Sequence, residues 1–287
     1  MSAEPNSPRL GLIQATALAI SFVIGSGVLV LPVLTLHLAG PGGSLIAWSS
    51  MALLNLPLIA MLYRLNRDPQ FSLVYSFQRV LGPQARSGAD YLIGVALVTG
   101  MPAMVHSTAL MIQDLSPKLP SHLTPILSLG LLTLLCVHQL RDVKRSTRVS
   151  MVTAAGLAVL LLVLVIYRSA DLARGFTLSW QDLHPPLAWT PILNAASLSF
   201  FGFVGFESFS YFTQHLKNPK HDLKWVYAAT TIFVITSYLL LTALVSGAAT
   251  DLQDAHSILH LLPSGSLKDF ISLGMILLVI SNLNAWV

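Results

Sequence analysis

Charged residues are scarce in this sequence. Asp, Glu, Lys and Arg together make up 10% of its 287 residues, against about 25% in an ordinary soluble domain. That shortage excludes a water-facing globular surface over most of the chain. Cysteine is nearly absent as well: Cys136 stands alone in an apolar run, so an intrachain disulfide is excluded and the residue reads as packing. The sequence also lacks an H-E-x-x-H zinc helix, a G-x-S-x-G nucleophile turn and any pair of acids within an apolar run. With no nucleophile, base or metal set, neither an intramembrane enzyme nor a bound cofactor is expected. Finally, the opening "MSAEPNSPR" leads into an apolar run much longer than a signal peptide's core of about 7 to 15 residues, so no cleaved signal is expected.

What fills the chain instead is apolar sequence, 54% hydrophobic with a mean hydropathy of +0.71. Runs near the length of about 20 residues that a helix needs to cross a bilayer lie at 11–38, 44–63, 88–113, 123–140, 149–168, 190–213, 225–248 and 268–287. The expected fold class is therefore an all-α integral membrane protein with eight transmembrane helices, forming a single domain over 1–287. Placing the N-terminus in the cytoplasm leaves only Lys118, Arg168, Arg174 and Lys268 outside, with the other twelve of the 16 basic residues inside. This is the asymmetry expected of a multi-pass protein in the cell inner (plasma) membrane. The same distribution accounts for the net charge of +4. Basic residues confined to short loops mark topology, so the bilayer is the expected partner and nucleic acid is not. Two loops, 71–82 and 251–262, mix apolar and polar residues in the manner of short interfacial helices. The oligomeric state is not legible.

Two stretches interrupt the apolar pattern. In "FVIGSGVLVLP" (22–32), Gly25, Ser26 and Gly27 followed by Pro32 allow the first span to unwind partway across the membrane. Two readings are open: close helix packing by small residues, or an exposed half-helix N-terminus whose amides suit a carboxylate. In "SFFGFVGFESF" (199–209), Gly202 and Gly205 loosen the sixth span, and Glu207 is the only acid well inside a span, Asp90 and Asp269 falling within the first three residues of theirs. A carboxylate there costs roughly 2.5–3.5 kcal/mol on insertion scales and marks either a functional site or a protonated acid bonded to a neighbouring helix. The breaks fall in spans one and six, each opening a five-helix unit. Paired interruptions of this kind point to a transporter's midplane site. His37, His106 and His138 lie in or near spans without a second metal ligand at helical spacing, and they read as packing or interfacial residues.

The segments "GSGVLVLP" and "FFGFVGFESFSYFTQHLKNPKHDL" resemble the amino acid-polyamine-organocation transporter superfamily. The first span of that family carries G-S-G-[IVL]-F-x-x-P; its sixth carries an aromatic-rich G-[FVL]-E followed by K-N-P. This chain keeps Gly25, Ser26, Gly27, Pro32, Gly205, Glu207, Lys217, Asn218 and Pro219, with Leu29 where phenylalanine is usual. "TGMPAMV" (99–105) and "KNPKHD" further resemble the branch that exports methionine and branched-chain amino acids. The resemblance implies a leucine-transporter-like fold of two inverted five-helix units with helices 1 and 6 broken. The first unit would cover about 11–168 and a partial second about 190–287, apparently truncated at its C-terminus.

It also implies secondary active transport of neutral amino acids (methionine, leucine, isoleucine, valine), running as an exporter or antiporter. The rival expectation is a truncated fragment that does not transport. By the same analogy, Gly25 belongs to the substrate site, the amides of Ser26 and Gly27 hold the substrate carboxylate, and the carbonyls of Val23, Phe201 and Val204 receive its ammonium group. Phe201 acts as an aromatic gate, while Phe203, Met101 and Met104 line the side-chain pocket. Glu207 couples a proton to alternating access, or sodium binds near Ser281 and Asn282. The coupling ion is open at this point.

Overall fold

The computed structural model describes residues 10–25, 27–67, 105–113, 120–139, 146–183, 188–209, 215–249 and 257–262. Shorter pieces lie at 78–79, 82, 84, 87–88, 91–92, 95, 102, 213, 265, 268–269 and 271–276. Among the described residues the chain is helical, with one isolated parallel bridge between Leu10 and Leu216. In chain order the α-helices are α1 (Leu12–Val23), α2 (Gly27–Asn66), α3 (Thr124–Gln139), α4 (Ser146–Tyr167), α5 (Ser169–Gln181), α6 (Trp189–Phe200) and α7 (Pro219–Gly247). By length and composition, Gly27–Asn66, Trp189–Phe209 and Pro219–Gly247 are each long and apolar enough to cross a membrane, and the bent pair α4 and α5 adds a fourth candidate. The protein is an all-α membrane protein. Most of the expected segment 71–82, most of 88–104 and the part of the expected span 268–287 beyond Ile276 lie outside the described residues.

α2 contains 40 residues, which as a straight helix would be about 60 Å long, twice the hydrocarbon thickness. It is two helices meeting at Gly40, whose φ of 70° is open to glycine and sterically poor for other residues. The fold-back is visible in side chains. Thr35 Oγ1 and Ser44 Oγ lie 3.0 Å apart, and Trp48 Nε1 donates to Thr35 Oγ1 at 3.0 Å. On a straight helix those pairs would be separated by about 13 and 19 Å. Pro41 opens the second part, where its missing N–H costs nothing, and Asp182 Oδ2 accepts the N–H of Gly42 at 2.9 Å. The corner between spans one and two is thus capped from the far end of α5.

α5 was not anticipated from the sequence. The chain bends by 79° between α4 and α5, at Arg168. α5 then runs as an amphipathic helix with Gly175 and Ser179 buried and Trp180 72% exposed. Gly175 and Gly247 let α5 and α7 touch backbone to backbone. A Cβ on Gly175 would strike the Ala243 carbonyl, and one on Gly247 the Asp171 carbonyl. Arg168 ties this corner to the next loop, donating from Nε to the Leu261 carbonyl at 3.0 Å and pairing with Asp171 at 2.9 Å.

The segment 251–262, expected to lie along the interface, behaves differently where it is described. Ile258, Leu259 and Leu261 form a short 3-10 turn and are buried in the main core with α1, α2 and α7. Its apolar residues find a protein interior to enter, so they leave the surface.

Candidate functional site

The first span breaks where its glycines are. α1 ends with the Ile24 N–H bonded to the Ile20 carbonyl at 2.7 Å, and Ile24 turns extended at φ −93°, ψ 97°. Gly25 lies in a bend, and helix resumes at Gly27. The sixth span breaks in the same manner. α6 ends at Phe200, Phe201–Phe203 tighten into a 3-10 turn, Val204 is extended, and Gly205 takes a φ of 123°. A second 3-10 turn, Phe206–Phe209, continues the span.

These two breaks face each other. A Cβ on Gly205 would fall on the Phe22 carbonyl oxygen and within 2.9 Å of the Val23 Cα. Only a residue without a side chain allows the sixth span's turn to sit against the end of α1. The backbone groups released by both breaks therefore converge on one place within apolar surroundings, where unpaired groups are tolerated only if protein, water or ligand meets them. Some are met locally. Val204 N–H reaches the Phe201 carbonyl at 3.3 Å, and Ser208 N–H the Gly205 carbonyl at 3.0 Å. Glu207 turns its carboxylate back onto its own break, with Oε2 accepting the Gly205 N–H at 2.9 Å. The carboxyl group thus satisfies an amide that the break at Gly205 releases from the helical pattern.

An aromatic wall stands beside the break. Trp48 and Tyr238 stack with ring centroids 4.0 Å apart, and Phe203 lies 6.2 Å from each. Gly202 permits this, since a Cβ there would come within 2.8 Å of both the Trp48 and Tyr238 rings. The Tyr238 hydroxyl lies 3.5 Å from where a Gly27 Cβ would be. α7 thus delivers a hydroxyl to the start of the first span's second half.

Of the residues expected to form the site, Val23, Gly25, Gly27, Phe203, Val204 and Glu207 lie at or beside the paired breaks. Phe201 is 56% exposed, and its carbonyl accepts from Val204. Ser26, Met101, Met104, Ser281 and Asn282 lie outside the described residues, as do the side chains of Cys136 and His138. His37 is exposed, and His106 contacts Ser128 Oγ at 3.2 Å. Among the described residues no three His, Cys, Asp or Glu side chains gather as a metal site. A groove of about 380 Å3 runs between α4 and α7, lined by Val159, Leu162, Phe233 and Leu240 with Thr236 and Ser237. It is distinct from the breaks.

Sequence reasoning missed Trp48 and Tyr238. The available signal was a tyrosine well inside an apolar span, where its hydroxyl needs a partner.

The chain runs on one side from Leu10 to the end of the sixth span: Leu10 N–H donates to the His215 carbonyl at 2.7 Å, and Lys217 N–H to the Leu10 carbonyl at 2.9 Å. Comparison with known proteins covers the same ground. Residues 10–287 match the amino acid permease family. Over 238 residues the chain is 25% identical to the uncharacterized amino acid permease YecA of Bacillus subtilis (strain 168), an alignment covering 82% of this chain and 54% of that relative. The chain thus spans about half the length of this curated relative. The family match takes in both broken spans, the aromatic wall and the bridge from Leu10, and by that extent the chain belongs to the amino acid permease family.

Proposed function

We propose that the meeting of the two breaks is the substrate site of a secondary transporter of neutral amino acids, with methionine, leucine, isoleucine and valine as its substrates. The observation that carries this reading is the contact of Gly205 with Phe22 and Val23, which brings two interrupted helices together. The substrate's carboxylate meets the amides at Gly25, Ser26 and Gly27, supported by the Tyr238 hydroxyl. Its ammonium group meets the carbonyls of Val23, Phe201 and Val204. Helix ends supply the matching partial charges without placing a full charge in the membrane. Trp48 and Phe203 give the side chain an apolar wall, and that favours apolar amino acids.

In this reading the chain lies in the plasma membrane with its N-terminus cytoplasmic, as the distribution of Lys and Arg favours. It comprises a first unit at about 11–168 and a second beginning near 190. Transport runs as export or exchange, with Glu207 carrying the coupling proton, because its carboxylate is bonded at the break it would control. The test is uptake of radiolabelled leucine into proteoliposomes across an imposed pH gradient. The parent chain should show saturable, pH-dependent flux, and Glu207→Gln should flatten the pH dependence. An unchanged pH profile would rule out proton coupling through Glu207. Leucine binding without flux would make this polypeptide a binding-competent portion that does not transport alone.

A further inference from the structure

A second polar group lies buried close to the sixth span's break and is not used by the site above. Asn66, at the end of α2, is 2% exposed. Its Nδ2 donates to the Tyr227 hydroxyl of α7 at 2.6 Å, and that hydroxyl reaches the Phe206 carbonyl at 3.4 Å. Phe206 is the residue before Glu207. The Tyr227 ring is enclosed by Phe209 at 4.8 Å, Tyr63 at 5.7 Å and Phe206 at 6.3 Å. The joint therefore connects α2, α7 and the second half of the sixth span at a single hydroxyl.

Asn66 Oδ1 is buried and has no hydrogen-bond partner among the described residues. A buried acceptor left unmet opposes the arrangement that contains it. A leucine of similar size would remove that opposition, so a joint serving only stability would gain from one. A joint that must release is different: the hydroxyl bridge and the rings hold it, and the unmet acceptor keeps the hold shallow.

We infer that Asn66 and Tyr227 are positioning residues: the Tyr227 hydroxyl and ring hold Phe206–Phe209, and with it Glu207, against α2 and α7 in this conformation, and Asn66, through its unmet acceptor, keeps that hold shallow enough to release during the transport cycle. The contact is local enough to act on Glu207 through the backbone. The half-helix is attached elsewhere by the Leu10 bridge beyond its far end, so the joint and the bridge bracket the same moving piece. This inference rests on the transport reading for its purpose, but the joint itself can be observed without transport.

The experiment uses the full chain in detergent and in proteoliposomes, in a Cys136→Ser background carrying Thr213→Cys as a reporter. Thr213 is buried after this segment and bonds the Phe209 carbonyl. Labelling by a maleimide reports release of the half-helix and requires no substrate. Tyr227→Phe, which cuts both hydrogen bonds, should label at least about fivefold faster, the change expected from losing even one of them. Asn66→Leu should fold at least as stably as the parent, label no faster, and lower the leucine turnover number about fivefold with KM little changed. If Asn66→Leu is stable and turns over at the parent rate, or if all three proteins label alike, the inference is overturned. Should Tyr227→Phe not fold, Asn66→Leu still decides it. A parent chain that neither binds nor carries leucine would defeat the transport reading, while the labelling rates would still test the joint.

Discussion

At the scale of single residues, the site depends on atoms that are missing. Gly205 has a φ of 123° and sits against the Phe22 carbonyl, so Gly205→Ala faces both backbone strain and a direct clash. We expect leucine binding to fall by more than tenfold in whatever fraction folds, measured by scintillation proximity alongside a thermal melt. Gly27 is gentler: its Cβ would meet Leu31 at 3.1 Å and the Tyr238 hydroxyl at 3.5 Å. Gly27→Ala should therefore fold, and Gly27→Leu should fold while losing leucine binding. Wild-type affinity in folded Gly27→Leu would leave the glycine with a packing role alone. These positions were legible in the sequence because glycine clusters and a lone acid are conspicuous in apolar spans. Trp48, Asn66 and Tyr227 were not. Each is an unremarkable residue until a partner arrives from far along the chain, as Asn66 and Tyr227 do from 161 residues apart. Periodicity carries no information about such pairs.

At the scale of elements, the corner at Gly40 and the helix α5 hold the two broken spans in place. Asp182 caps the second part of α2 through the Gly42 N–H, and removing such a cap costs about 1 kcal/mol. Asp182→Ala should lower the melting temperature by about 2–4 °C and leave leucine affinity unchanged; a large affinity loss would place Asp182 nearer the chemistry than the structure does. Among the described residues several span positions were readable from apolar runs: the expected corner between 38 and 44 contains Gly40, α4 matches its run to within three residues, and α7 begins six residues before its run. α5 escaped because it is amphipathic and carries Asp171 and Arg174, which makes it look like loop to a search for apolar length. The turn Ile258–Leu261 was read as interfacial because composition cannot distinguish a membrane surface from a protein interior.

At the scale of the whole molecule, α7 is the element on which α1, α2 and α5 meet. It stacks Tyr238 on Trp48, carries Tyr227 to Asn66 and Phe206, and packs backbone to backbone on α5. Overpacking that last contact with Gly247→Val would cost about 1–3 kcal/mol. It should lower thermal stability and leucine affinity together, because the wall beside the break belongs to the same helix. The central claim is that amides and carbonyls freed at two facing breaks recognise both ends of an amino acid. The most direct measurement is equilibrium binding of radiolabelled leucine to the purified chain, competed by methionine and by 3-methylbutylamine, which is leucine without its carboxylate. The account predicts saturable binding, displaced by methionine and left in place by the amine. Folded protein that binds no leucine, or that yields it equally to both competitors, would contradict it.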